Sequence, residues 1–352
     1  MPEPKPLKGE PLDADSLGRE AREGFRKTDL SARLGRYGKA KANAMQFAQY
    51  LEQEGESQLS DSLTSCGNYA VFREYYTIGE TRLSKFCTCH KHLICPLCAI
   101  RRGAKALRVY LARVDALMGQ NPRLRPFMVT LTVKNGPDIE ERYKHLSSSL
   151  REYHRRRSRL RQHGEVLKAS SAVWSYEFTN TGKGWHPHTH AIWLCENEPD
   201  KFALSREWHD LTGDSYIVDV RPITPDEGGG YVSGFCEVFK YAIKFADLQN
   251  HHRLEAFKAM RGKRLQDSFG QLRGLDIEPS DSDDLLEELP YIERLYLYRE
   301  GHYELKETSQ LWPDGTPFSP VERQVEMLIQ QGWNDAQITD YLVEYGHIEK
   351  AA

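Results

Sequence analysis

Trp185-His186-Pro187-His188-Thr189-His190-Ala191-Ile192-Trp193 packs three imidazoles into five residues and then turns apolar and branched. Alternate side chains of a strand share a face, so His186, His188 and His190 point one way and Ile192 continues that face. A ledge of neutral imidazoles suits a divalent metal ion. Upstream, Asn180-Thr181-Gly182-Lys183-Gly184 reads as a turn that pairs this strand with another over 170–179.

Outward from that hairpin the chain alternates elements. Strands are expected over 125–134, 170–179, 186–195 and 216–222, with helices over 139–162, 199–211 and 233–248. This order predicts an α+β fold of ferredoxin- or RRM-like split βαβ units, in which an antiparallel sheet is backed by helices on one face. The histidines then lie on the open face, and the last helix crosses it.

That helix carries Glu237-Val238-Phe239-Lys240-Tyr241-Ala242-Ile243-Lys244. Positions i, i+3, i+4 and i+7 share one stripe of a continuous helix, which puts Glu237, Lys240, Tyr241 and Lys244 together. A phenol, a carboxylate and two ammoniums beside a metal ledge suggest phosphoryl transfer to a tyrosine. As third metal ligand beside His188 and His190, both Glu177 on the neighbouring strand and His186 qualify, and a carboxylate across the hairpin is the more natural geometrically.

The chain resembles the HUH-type rolling-circle replication initiators of bacterial plasmids. Three motifs occur in order: Phe127-Met128-Val129-Thr130-Leu131-Thr132, the histidine motif, and the Glu-x-x-x-Tyr-x-x-Lys helix. A single-tyrosine branch of that family also carries upstream cysteines, matched here by Cys66-Gly67, Phe86-Cys87 and Cys95-Pro96-Leu97-Cys98. The resemblance covers about residues 60 to 250. It implies an HUH endonuclease fold, His188 and His190 as metal ligands with an acidic third, Tyr241 as nucleophile, and Glu237 as the base that activates water at termination. Thr189 departs from the bulky apolar residue usual between the two histidines. The implied products are a 5'-phosphotyrosyl link and a free 3'-hydroxyl primer on one strand of a plasmid origin. Mn²⁺ and Mg²⁺ both suit the site. Partners implied are single-stranded or hairpin origin DNA, a host helicase and a host polymerase, because no Gly-x-x-x-x-Gly-Lys-Ser/Thr loop marks a fused helicase.

The cysteines have a reading of their own. Of 7 in the chain, five fall between Cys66 and Cys98, an odd total that fits thiolate metal ligation better than a disulfide framework. Cys95-x-x-Cys98 is one half of a structural zinc site. Cys66, Cys87, Cys89, His90 and His92 compete for the other half, and the resemblance points to Cys66 and Cys87.

Charge is segmental. The formal net charge of −3 does not announce a nucleic-acid partner, yet Arg101, Arg102 and Lys105, and then Arg155, Arg156, Arg157 and Arg159, form two basic helical stretches that suit phosphate contacts. Trp174, Trp185 and Trp193 are candidates either for base stacking or for the core. A composition of 28% charged and 39% hydrophobic residues is that of a globular protein. No run of eighteen apolar residues and no signal-peptide pattern occurs, so no membrane partner and a cytoplasmic location are expected.

The expected division is a tail and helix over 1–60, a zinc module with a basic helix over 61–115, the endonuclease domain over 120–275, an acidic linker or insert over 276–290, and a hairpin with a two-helix extension over 291–352. Competing readings are a single-strand transposase or relaxase of the same chemistry, and a non-catalytic zinc-dependent nucleic-acid-binding regulator.

Overall fold

A computed structural model describes residues 16–22, 29–159, 164–227, 229–275, 282–286, 288–311, 314–317 and 320–344. The chain divides into two compact units that interleave in sequence. One comprises Met1–Arg22, Lys39–Cys66 and Cys89–Pro279, the other Glu23–Gly38, Gly67–Thr88 and Ser280–Ala352. Where the sequence suggests consecutive domains, the cysteine-rich stretch is shared between both.

The described elements run α1 (Ser16–Arg22), α2 (Leu30–Gln53), α3 (Ser57–Ser65), β1 (Tyr69–Tyr75), β2 (Glu80–Phe86), α4 (Pro96–Gln120), β3 (Arg125–Thr132), α5 (Ile139–Arg159), β4 (Ala169–Asn180) and β5 (Trp185–Cys195). They continue α6 (Lys201–Thr212), β6 (Val218–Pro222), α7 (Val232–Phe239), α8 (Tyr241–Lys244), α9 (Asn250–Met260), β7 (Gln266–Phe269), β8 (Tyr291–Arg299), β9 (His302–Leu311), α10 (Pro320–Gln330) and α11 (Asp335–Glu344).

The larger unit holds a five-stranded sheet of order β6-β3-β5-β4-β7, with every described pairing antiparallel. The histidine strand is therefore central. Its burial alternates from Trp185 to His190, as a strand with one dry and one wetter face requires, before the end becomes uniformly buried. On the dry face Trp193 stacks on Tyr153 of α5 at 6.3 Å, and Trp208 of α6 meets that tyrosine edge-on at 6.2 Å. The Trp208 indole donates to Thr132 O at 2.7 Å, so its one polar atom is satisfied inside the core. Trp174, Trp185 and Trp193 are all buried. They are core, and the stacking alternative for them is withdrawn.

Local signals account for the helix ends. Asp200 caps α6 by accepting from Ala203 N, and Gly213 closes it in the left-handed region at φ 73°. Pro96 opens α4 where a missing N–H costs nothing. In α2, Ala40, Ala44, Phe47, Ala48 and Leu51 form the buried stripe that their spacing predicts.

The smaller unit contains a second antiparallel sheet, β2-β1-β8-β9. Its hairpin β8–β9 is the one expected after residue 290, whereas β1 and β2 lie inside what reads as a cysteine module. Part of the acidic segment is also not a free linker. Asp283 accepts from Leu83 N at 2.7 Å and from both terminal nitrogens of Arg33 at 2.7 and 3.0 Å. Residues 276–281 and 287 of that segment lie outside the described ones, as do the tail before residue 16 and the side chain of Arg159. Leu328, Ile338 and Leu342 make a small separate core for α10 and α11. No helix among the described residues is long and apolar enough to cross a membrane.

Candidate active site

Register assembles the site. Glu177 of β4 lies directly opposite His188 of β5, Ser175 opposite His190, and Thr130 and Thr132 of β3 face the same two histidines from the other side. Cross-strand partners share a face, so one carboxylate and two imidazoles converge by pairing alone. Glu177 Oε1 stands 3.6 Å from His188 Nε2, and Glu177 Oε2 stands 3.6 Å from His190 Nε2.

Both separations are long for hydrogen bonds and suited to ligands sharing one ion, each at roughly 2.0–2.2 Å from it. The donor atoms of Glu177, His188 and His190 all lie within 4.8 Å of one another. Glu177 Oε2 is buried without a hydrogen-bond partner, an expensive arrangement for a carboxylate unless a cation shares the space. The residues fit a divalent metal. Of the two candidates for third ligand, Glu177 joins the group, while His186 Nδ1 is engaged at 2.6 Å by Asn135 Oδ1.

Second contacts orient the ligands. Thr130 Oγ1 lies 3.1 Å from His190 Nδ1, which leaves Nε2 for the metal. Burial lowers the His190 imidazole against the opposing pull of Glu177, which keeps it neutral and ligand-ready. Burial pushes the Glu177 carboxyl up, but the nearby His188, then His190 and Lys244, outweigh it and hold the group below its ordinary range. Thr130 belongs to a motif the sequence displays, but its role was legible only once register was known. Asn135 left no signal.

The expected single helix over 233–248 is broken. It stops at Phe239, Lys240 takes φ −84° and ψ 1°, and a short second helix begins at Tyr241. No glycine or proline marks this break. Its consequence is that the four polar residues do not form one stripe. Glu237 and Lys240 pair with each other and both act electrostatically on His190, and Lys244 acts on Glu177. Tyr241 is instead buried, with its ring edge-on to His92 at 6.5 Å. Burial raises its phenol, and the charge of Arg102 pulls it back only in part. Asp247, exposed and 3.9 Å from Lys244 Nζ, extends this charged surround without having been singled out beforehand.

Four sulfurs form the second cluster. Cys66 Sγ lies 3.7 Å from Cys98 Sγ and 3.5 Å from Cys95 Sγ, and Cys89 Sγ lies 3.7 Å from Cys98 Sγ. Tetrahedral zinc with Zn–S bonds of about 2.3 Å needs sulfur edges of about 3.8 Å, so the set fits that ion. None of the seven cysteines is in a disulfide. The resemblance points to Cys87, but the structure puts Cys89 in its place. Cys87 lies just past β2, where its carbonyl accepts from Gly67 N at 2.7 Å, and its sulfur is not one of the four.

The basic candidates are only partly surface groups. Arg101, Arg102 and Lys105 are half-buried on α4. Arg157 packs over the Phe269 ring at 3.8 Å and donates to Ser170 O, so it supports the fold. Arg155 is exposed beside Glu152 at 3.5 Å, and Arg156 is half-buried.

Sheet, ligand triad and four-sulfur cluster define an α+β protein with two sites able to hold metal ions, one of them ringed by acidic and basic side chains. Residues 80–302, more than half of the chain, match the family of replication proteins, and the chain belongs to that family. A protein named Protein rep from Streptococcus pneumoniae serotype 2 (strain D39 / NCTC 7466) is 27% identical over 199 residues, covering 53% of this chain and 60% of that relative. A Protein rep from Lactiplantibacillus plantarum is 28% identical over 191 residues, covering 52% of this chain and 57% of the relative. The matched region thus spans somewhat more than half of each relative. No solved structure matches.

Proposed function

We propose that this protein is a plasmid rolling-circle replication initiator of the HUH type, a metal-dependent enzyme that nicks and rejoins one DNA strand through Tyr241. The observation that carries the proposal is the Glu177 carboxylate set between His188 Nε2 and His190 Nε2, 3.6 Å from each. A divalent ion held there, Mn²⁺ or Mg²⁺, supplies Lewis acidity at the scissile phosphate. The protein's own groups do the rest.

Tyr241 Oη forms the new bond to phosphorus as the bond from phosphorus to the 3'-oxygen breaks, and the phenol proton ends on the released 3'-hydroxyl. The phosphodiester is thereby stored as a 5'-phosphotyrosyl link, and the 3' end serves as primer. Lys240 and Lys244 offset phosphate charge near the ligands. At termination Glu237 takes a proton from water. The water oxygen bonds to phosphorus, the bond to Tyr241 Oη breaks, and the proton returns to the phenol. The substrate is single-stranded or hairpin DNA at a plasmid origin, with a host helicase and polymerase acting after the nick in the cytoplasm. Cys66, Cys89, Cys95 and Cys98 hold a structural zinc ion.

The test is incubation with Mn²⁺ or Mg²⁺ and labelled single strands tiling the origin, followed by denaturing electrophoresis. A metal-dependent covalent band that Tyr241→Phe abolishes is expected. One observation favours a second reading, a zinc-dependent DNA-binding regulator without chemistry: Tyr241 is buried with a raised phenol. That reading requires DNA binding with no covalent band in either protein.

A further inference from the structure

Tyr241 is held by the cysteine module. His92, whose ring meets the tyrosine at 6.5 Å and 82°, lies in the loop between Cys89 and Cys95. Arg102, whose charge acts on the phenol, follows Cys98 by one turn of α4. The same helix is fitted closely to the break in the tyrosine segment. A Cβ at Gly103 would stand 2.9 Å from Phe239 O, so only glycine lets α4 approach this near. About two turns on, Tyr110 packs its ring 5.2 Å from that of Phe239. The stretch of α4 that follows Arg102 is thus packed against Phe239, two residues before Tyr241.

The charges around the phenol make Arg102 distinctive. Burial, then Arg102, drives His92 down to about 4, so it is a neutral wall at neutral pH. Lys240 is paired with Glu237, and Lys244 faces Asp247 and Glu177. Arg102 is the cation of α4 whose charge acts on the Tyr241 hydroxyl.

We infer that Arg102 is a positioning residue for the tyrosine: its guanidinium aims Tyr241 Oη and carries the negative charge that develops there, and the four-cysteine loop holds it in place. This rests on the proposed role of Tyr241. Charge develops on Oη when its proton leaves during nicking, and again when phosphorus departs during rejoining or hydrolysis, so Arg102 serves each step. The cysteine module then contributes to chemistry as well as to folding, and Arg102 is not primarily a DNA-phosphate contact.

The test measures single-turnover cleavage at saturating DNA across a pH series, with DNA affinity measured separately, for the full-length protein carrying Arg102→Gln or Arg102→Lys. For Arg102→Gln the saturated rate at neutral pH falls roughly 10²-fold, as on loss of an oxyanion donor. DNA affinity stays within about twofold, and the rate goes on rising at least about one pH unit beyond the point where the wild type levels off. Arg102→Lys restores part of the rate and carries the test by its pH profile if the glutamine variant does not fold. Weakened DNA affinity with an unchanged pH profile, or wild-type behaviour of Arg102→Gln while Tyr241→Phe is inert, overturns this inference alone. Cleavage by Tyr241→Phe overturns the proposed function and this inference with it.

Discussion

The two ligand clusters of the larger unit are built in opposite ways. Glu177, His188 and His190 sit on neighbouring central strands, where pairing register puts them together and two flanking strands hold them. Cys66, Cys89, Cys95 and Cys98 come from a helix C-cap, a loop and the start of another helix, and no ladder of hydrogen bonds dictates their meeting. The first cluster is a property of the sheet. The second has no ladder behind it, so on the proposed reading its geometry depends on zinc and the two should fail differently when a ligand is removed.

The largest effect is expected at the sulfurs. Structural zinc contributes on the order of 10 kcal/mol to the folding of small zinc domains. Cys95→Ser or Cys98→Ser should therefore abolish bound zinc and the cooperative thermal transition of this unit. Cys87→Ser should leave zinc stoichiometry, read by elemental analysis, unchanged. Equal zinc loss from Cys87→Ser and Cys89→Ser would break the assignment of Cys89.

On the strand site the loss should be chemical. His188→Ala or Glu177→Gln is expected to reduce covalent adduct formation about 10³-fold, the scale of a lost Lewis acid, while the melting temperature changes little. A collapse of stability instead would mean that this cluster, like the sulfurs, is structural.

How far each cluster was readable follows from the same contrast. Period-two spacing places His186, His188 and His190 on one face, and pairing across a short turn brings Glu177 opposite, so that site was legible from residues 170 to 195. Cys95-x-x-Cys98 was legible because both sulfurs sit at one helix start. The choice of Cys89 over Cys87 was not, since it depends on where β2 ends and on the path of the chain beyond it. The same stretch hid β1 and β2, because cysteines at both ends drew Tyr69–Phe86 into a metal-module reading. The break at Lys240 was invisible for another reason: its apolar spacing is helical throughout, and packing against α4 decides where Tyr241 goes.

A smaller effect lies on the dry side of the sheet. His154 packs between Trp174 and Phe269, at 4.4 and 5.0 Å, and burial, aided by Arg157, lowers it to about 3. A folded value below the unfolded one of about 6.5 means that the unfolded chain binds the extra proton. Stability is then complete above about pH 6.5 and declines as pH falls towards the folded value, by about 1–2 kcal/mol in total for a partly screened group. His154→Phe should flatten that limb in urea titrations at successive pH values. An unchanged slope would place the acid sensitivity elsewhere.

The smallest effect is expected at Arg155, exposed beside Glu152. Arg155→Ala should leave stability within about 0.5 kcal/mol and lower the salt slope of DNA binding by about one. No change in slope would remove this helix from the DNA path.

The most direct measurement of the central claim is recovery of the covalent DNA adduct, digestion of both components, and mass spectrometry of the nucleotide-bearing peptide. The account predicts a 5'-nucleotide on the peptide containing Tyr241, formed only with divalent metal and absent from His188→Ala. A nucleotide on any other residue, or an adduct that forms without His188 and metal, would contradict it.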